Sequence, residues 1–304
     1  MKNRKDLFLF LGGLIRMMPK IRGKVRLGLY CYKKLGLSRE PFVIETTLFP
    51  EGLKFRLNLN CAHERMSYLM GHYEQETSAF LAEIYAGGTI LDVGANVGLI
   101  SVPLAVRTRS RASSLPHLYS VEALPGNFEA LCRNVGLNDL DGSVVPIKIG
   151  LGSEEAQVSI QIEGNDALST GTANILPDER DFVKIPLQIK TIDGLVEEGT
   201  LPGDISLVKI DTDGYDYEVL KGGRGLLEKQ RPVVFAELSE HCMKWHGYGI
   251  REVEEYLQTV GYETWPMTGN RPIRFKRFEG PEGYGDNCLL VPGERAERFA
   301  SYLC

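Results

Sequence analysis

The chain has 304 residues, 43% of them hydrophobic and 25% charged, enough apolar side chain to bury a substantial core without disulfide or metal staples. Its six cysteines (Cys31, Cys61, Cys132, Cys242, Cys288 and Cys304) are scattered, with no C-x-x-C pair and no histidines at zinc-finger spacing, which points to a reducing compartment. The net charge of −5 hides an asymmetry: residues 1–34 hold ten Lys/Arg against Asp6 alone, a net of +9, so residues 35–304 carry 25 basic and 39 acidic groups, a net of −14. A body this acidic repels phosphate and argues against a nucleic-acid partner.

The first apolar run, 7-LFLFLGGLI-15, lies between Asp6 and Arg16. It is far shorter than the roughly 20 residues that cross a bilayer. A secretory signal is unconvincing, because Arg16-Met17-Met18-Pro19-Lys20 follows where a small-residue cleavage site would stand. Leu7, Phe8, Leu11 and Leu14 fall at helical spacing. Two readings stay open: an interfacial helix whose lysines and arginines meet anionic headgroups, or a helix packed on the main body with a solvated basic face. The expected location is the cytoplasm, with peripheral contact at the inner membrane face on the first reading.

Residues 42–59 alternate apolar and polar positions around Pro50-Glu51-Gly52, which predicts a β-hairpin of Phe42 to Leu48 and Leu53 to Leu59. Residues 75–85 read as a helix ending at Gly87-Gly88. Strand and helix then alternate: strand 89–93, helix 98–107, strand 118–122, helix 126–136, strand 144–149. A β-rich excursion follows at 156–162 and 183–192, around the Gly/Ser/Thr/Asp-rich run 164–181. Strand 206–210, helix 215–229, strand 233–238, helix 250–260 and strands 262–265 and 288–291 complete the pattern. Such alternation predicts an α/β fold, a mostly parallel seven-stranded sheet with helices on both faces.

The chemistry centres on 87-GGTILDVGANVGLIS-101. Strand, glycine turn and helix make a cofactor cradle, because glycine lets the backbone approach a ligand and a helix N-terminus presents free N–H groups. A dinucleotide site wants G-x-G-x-x-G, with a bare second glycine under the pyrophosphate. Here Gly94-Ala95-Asn96-Val97-Gly98 puts a side chain at that position. Pyrophosphate would also face Asp92, and two like charges about 4 Å apart cost on the order of 4 kcal/mol at an intermediate dielectric. S-adenosylmethionine has no phosphate and carries a cationic sulfonium and ammonium, for which the same carboxylate is attractive. The next strand ends at Glu122, followed by Ala123; an acid there can accept both hydroxyls of a ribose in any nucleoside cofactor.

The run 205-ISLVKIDTDGYDYEVLKGG-223 resembles the signature of FkbM-type S-adenosylmethionine-dependent methyltransferases, of the form LKID-x-EG-x-E-x-x-VLKG. The same family shows DVGAN-x-G, matched from Asp92 to Gly98, and an FEP-N-type turn, matched loosely by Val121-Glu122-Ala123-Leu124-Pro125. Tyr73-Glu74 is similar to the family's G-x-YE start, and Asn134 to Asn138 to its N-x-x-LN stretch. The likeness implies a class I methyltransferase fold of Rossmann type and a cofactor set of Glu74, Asp92, Gly94, Ala95, Asn96, Gly98, Glu122, Ala123 and Asp211. It also implies O-methylation of a glycan, lipid-linked sugar or other natural product. Two family glutamates are here Asp213 and Asp216, one methylene shorter; Asp211 is matched unchanged. The corresponding division is a basic segment 1–40 and a single domain 41–304: hairpin extension 41–72, cofactor core 73–238, and the rest of the sheet 239–304.

In an open parallel sheet the reaction centre lies outside the carboxyl ends of the strands, here Asp92, Glu122, Gly150, Asp211 and Glu237, with His241 and His246 just beyond. Methylating an aliphatic hydroxyl needs two positioned reactants and a base. Asp211 is the first candidate, as base or cation ligand, with His241 second and Glu237 beside them. Asp211 could instead cap the following helix, and either histidine could be a surface residue. A divalent ion on Asp211, Asp213 and Glu237 is conceivable, although no spacing demands a metal. Trp245 and Tyr248 could give a sugar a stacking face, and 164–181 could close over it. Rival readings are an NAD-dependent oxidoreductase of Rossmann type and a non-catalytic membrane-associated scaffold.

Overall fold

In the computed structural model the described residues are 2–18, 23–163, 182–270, 273–280 and 286–304. Helices α1 (Lys2–Met17) and α2 (Lys24–Lys34) lead into the hairpin β1 (Val43–Leu48) and β2 (Leu53–Asn58), then α3 (Ala62–Met70) and α4 (Gln75–Ile84). The alternating unit follows as β3 (Thr89–Val93), α5 (Ser101–Thr108), β4 (Leu118–Val121), α6 (Pro125–Gly136) and β5 (Val144–Ile147). A small sheet comes next, β6 (Gly150–Leu151), β7 (Ala156–Glu163) and β8 (Phe182–Lys190). The chain returns through α7 (Ile192–Glu197), β9 (Ile205–Ile210), α8 (Asp216–Gly222), α9 (Arg224–Lys229) and β10 (Val233–Glu237). It finishes with α10 (Glu240–Met243), α11 (Ile250–Thr259), β11 (Tyr262–Asn270), β12 (Ile273–Phe275) and β13 (Asn287–Pro292).

The large sheet runs β12-β11-β13-β10-β9-β3-β4-β5. The five strands from β10 to β5 are parallel, and β13, β11 and β12 join antiparallel. All seven expected strands are present, and the three-residue β12 adds an eighth at the edge. Successive residues of β3 point to opposite faces, as a strand's period of two requires. Ile90 enters one hydrophobic cluster with Phe80, Val102, Leu131 and Phe235, and Leu91 enters the other with Val208, Leu220, Leu227 and Val253. Helices therefore cover both faces. The chain leaves β3 toward β4 on one side and returns beside it as β9 on the other, so the strand order reverses at β3. That reversal opens a crevice at the strands' carboxyl ends, where ligands of such sheets bind.

Two local differences have physical causes. The expected helix 215–229 is two helices, because Gly222 touches the Gly152 backbone so closely that a Cβ would fall 1.9 Å from the Gly152 carbonyl oxygen. The expected helix 98–107 begins at Ser101, since Gly98 at φ 86° spends a turn reversing the chain. Helices α2 and α3 were not expected; α2 lies in what reads as a basic segment. The run 164–181, expected to close over a substrate, lies outside the described residues.

Candidate active site

At the reversal point lies a cavity of about 550 Å³. Its floor is the loop after β3 and the ends of β4, β9 and β10; one wall comes from β6, β7 and β8, and another from the start of α3 and from Tyr73-Glu74. Expected site residues Glu74, Gly94, Ala95, Asn96, Glu122, Ala123, Asp211, Asp213 and Glu237 all line it.

The glycine turn is shaped by contact. A Cβ on Gly94 would sit 1.9 Å from the Asp211 carbonyl oxygen, and φ is 75° there, so only glycine lets this loop cross the end of β9. Gly98, at φ 86°, does not line the cavity; a Cβ there would meet Leu131 at 2.8 Å. Asn96 takes the left-handed conformation that asparagine tolerates, φ 52°, and its N–H donates to Glu122 Oε2 at 2.8 Å. The Leu124 N–H donates to Glu122 Oε1 at 2.8 Å. These bonds lock the acid onto the loop. Burial nevertheless pushes the Glu122 carboxyl up to about 7, against the pull of the two backbone N–H groups.

Asp92 is not where the sequence reading put it. Its side chain is fully buried and does not line the cavity, whereas its neighbour Val93 does, as strand alternation dictates. Ser101 Oγ donates to Asp92 Oδ2 at 2.5 Å, and Lys209 Nζ lies 3.4 Å from Oδ1. The carboxylate acts beneath the loop, not on its open side.

Lys209 is 5% exposed and lies between two carboxylates, with Nζ also 3.1 Å from Asp211 Oδ2. Burial favours its neutral form, but Asp211 and Asp92 outweigh burial and hold the ammonium charged above the usual lysine range. Asp211 feels the same balance in reverse. Burial would raise its carboxyl, yet Lys209, a hydrogen bond with Glu237 and the nearby His63 keep it ionised below the ordinary range. Glu237 is pushed well up by burial and then by the charge of Asp211, so it retains a proton at neutral pH. Burial and then Asp211 raise Asp213 to about 6, and they raise Glu74 as well. One ionised carboxylate thus sits against a neutral carboxylic acid, and the pair titrates as a unit.

His241 is exposed and set edge-on to Trp245, 5.1 Å between ring centroids, and neither lines the cavity. Both expected roles are corrected: the short α10 carries His241 outward, and Trp245 follows it. His246, a turn later, does line the cavity, where burial lowers its pKa. Tyr248 does not line the cavity; its hydroxyl donates to the Gly214 carbonyl oxygen and its ring packs against Tyr217 and His246. Asp216, matched to a family glutamate, is fully buried and accepts the Thr212 and Gly214 N–H groups at 3.2 and 3.1 Å, closing the loop before α8. Among the described residues no group of three or more His, Cys, Asp or Glu is placed to hold a metal ion, the trio Asp211, Asp213 and Glu237 included.

The sequence reading missed Lys209 and the wall from α3, with Cys61, His63 and Glu64. Lys209 had a signal, a charge inside the apolar strand run ISLVKI, where both faces are covered. The α3 wall had none, because it reaches the site only through tertiary packing.

Sequence comparison matches residues 92–264, more than half of the chain, to the methyltransferase FkbM domain. A hexuronic acid methyltransferase, AglP of Haloferax volcanii, is 27% identical over 222 residues, covering 71% of this chain and 82% of that protein. Methyltransferase sdnD of Sordaria araneosa is 26% identical over 209 residues, covering 60% and 76%. Among solved structures, methyltransferase FkbM from Methylobacillus flagellatus is 14% identical with a TM-score of 0.46, covering 74% of this chain and 52%, about half, of that one.

Proposed function

We propose, for a chain that belongs to the FkbM methyltransferase family, that the methyl donor is S-adenosylmethionine and the acceptor a hydroxyl of a glycan, a lipid-linked sugar or another natural product. The observation that carries this reading is the sign of the cavity. Among the described residues six carboxyl groups line it, Glu64, Glu74, Glu122, Asp211, Asp213 and the protonated Glu237, against one Lys/Arg, Lys209, which two carboxylates already hold. A diphosphate would find no uncommitted cation there and a side chain at Asn96; a cationic ligand meets complementary charge. The similarity to a hexuronic acid methyltransferase supports a carbohydrate acceptor.

When bound, the donor supplies a methyl group on a cationic sulfonium. Glu122 would accept the ribose hydroxyls beside the Gly94–Gly98 turn, and Glu74 and Asp211 would face the positive charges. Asp211 is the ionised member of its pair and takes the acceptor's hydroxyl proton. Glu237 keeps its own proton and, through its hydrogen bond, orients Asp211. Lys209 fixes Asp211 from below and keeps it ionised before the acceptor arrives. Asp92 and Ser101 hold Lys209 and the loop in register.

Thermal denaturation with each cofactor tests the reading, since a ligand that binds only the folded state raises the melting temperature by mass action. S-adenosylmethionine should stabilise and NADH should not. Stabilisation by NADH alone would replace this reading with the oxidoreductase one, and binding without turnover on any acceptor would favour a scaffold.

A further inference from the structure

We propose that α1 and α2 form a docking face for an anionic membrane surface, on which the protein lies without crossing the bilayer. The two helices are neighbours seated on α3. Phe8 of α1 meets Tyr32 of α2 edge-on, with 5.5 Å between ring centroids. Gly12 of α1 abuts the Tyr68 ring and Gly28 of α2 abuts Leu69, successive residues of α3, and a Cβ on either glycine would come within 2.6 Å of them. With the inner faces so closely fixed, the outer faces of both helices turn away from α3 toward solvent.

Those outer faces are apolar and basic together. On α1, Leu7, Phe10, Leu14 and Met17 form one stripe at helical spacing, with Phe10 64% and Met17 78% exposed. On α2, Leu27 and Tyr30 are about half exposed, at 47% and 59%. A surface helix ordinarily buries its apolar face and solvates the other. Helix α1 is apolar on both. Scattered exposed apolar side chains need no explanation, but a stripe along one helix, with Leu27 and Tyr30 exposed on the helix packed beside it, marks an interaction surface.

Charge selects the occupant. Arg4, Arg26, Lys33 and Lys34 are exposed on the same two helices, and Asp6 is the one acid in residues 1–34, which carry a net +9 against −14 for the rest. So polar a distribution orients the molecule with this face toward an anionic plane and its acidic body away. No described helix is long and apolar enough to cross a membrane, so the helices lie in the interface. Helix α3 carries the pair on its outer side, and its first turn supplies His63 and Glu64 to the cavity, so one helix joins the docking face to the site. The docking face stands whatever the acceptor proves to be.

Co-sedimentation of the full chain with vesicles tests it. At low salt the chain should pellet with vesicles of mixed phosphatidylglycerol and phosphatidylcholine and not with phosphatidylcholine alone. Replacing Arg26 and Lys33 by Gln should weaken binding about fivefold per cation. Phe10→Ser with Met17→Ser should weaken it at least about tenfold. Both variants change exposed side chains and should melt like the parent, so lost binding cannot be lost fold. The proposal is overturned if the chain stays in solution with both vesicle types, if it binds neutral vesicles as well, or if neither variant weakens binding. A dimer that Phe10→Ser with Met17→Ser dissociates, without vesicle binding, also overturns it and gives the face to a second copy.

Discussion

Replacing Lys209 by methionine removes the charge on which the floor of the site is assembled. Its ammonium lies 3.4 Å from Asp92 and 3.1 Å from Asp211, and Asp92 is fully buried. At an effective dielectric near 20, each contact is worth about 5 kcal/mol of Coulomb energy before desolvation is counted. The Asp211 side chain is 35% exposed, so solvent screens its share and the larger loss falls on Asp92. Removing one partner of a buried pair costs about 3–5 kcal/mol, because the remaining charge stays buried without compensation. At roughly 2 °C per kcal/mol for a chain of this size, the melting temperature should fall by about 6–10 °C. The second half of the test is a double variant. Asp92→Asn with Lys209→Met removes both charges and should recover much of the loss, since an uncharged buried pair carries no unpaired ion. The measurement is denaturant unfolding of the parent and of both variants. If Lys209→Met lies within about 0.5 kcal/mol of the parent, as exposed substitutions do, the lysine does not hold the site together and the reasoning fails.

Asp211→Asn removes one of the charges that face the donor, so it should weaken donor binding by calorimetry, and at saturating donor it should still cut turnover by at least about a hundredfold, the scale of a lost general base; full activity would remove Asp211 from that role. Gly94→Ala should weaken donor binding and lower the melting temperature together, because a methyl there cannot pass the Asp211 carbonyl 1.9 Å away; a variant that binds and melts like the parent would show that the loop does not need this crossing. Stability without ligand should fall as pH rises from about 5 to 8. Burial raises Glu122 and Asp216 to about 7 in the folded chain, so over that window the folded state binds more protons than the unfolded one. A stability flat or rising across this range, read by denaturant unfolding in several buffers, would contradict those environments.

How much of this was legible in the chain follows from which forces are local. The glycine turn, Glu122, Asp211 and Glu237 were readable because turn chemistry and strand ends are written in a few adjacent residues. Strand parity was readable too, yet Asp92 was assigned to the open side of the loop although Val93, its neighbour, occupies that side. The lesson of Lys209 is similar: a charge within an apolar strand implies a buried partner, and Asp92 across the parallel register was that partner. His241 and His246 differ by five residues in a region of short helical turns, where phase decides which faces inward and sequence does not fix phase. The contribution of α3 depends on packing between segments distant in the chain, for which no local pattern exists. The break between α8 and α9 likewise comes from a contact with Gly152, far upstream.

The central claim is that an acidic cavity holds a cationic methyl donor and that Asp211 deprotonates the acceptor. It is tested most directly by following the isotopic label of methyl-labelled S-adenosylmethionine into a cell extract and identifying the labelled product by mass. The account predicts a carbohydrate-bearing product with one added methyl group, formed by the parent protein and not by Asp211→Asn. Label that appears equally with both proteins, or that never leaves the donor while NADH stabilises the fold, would contradict it.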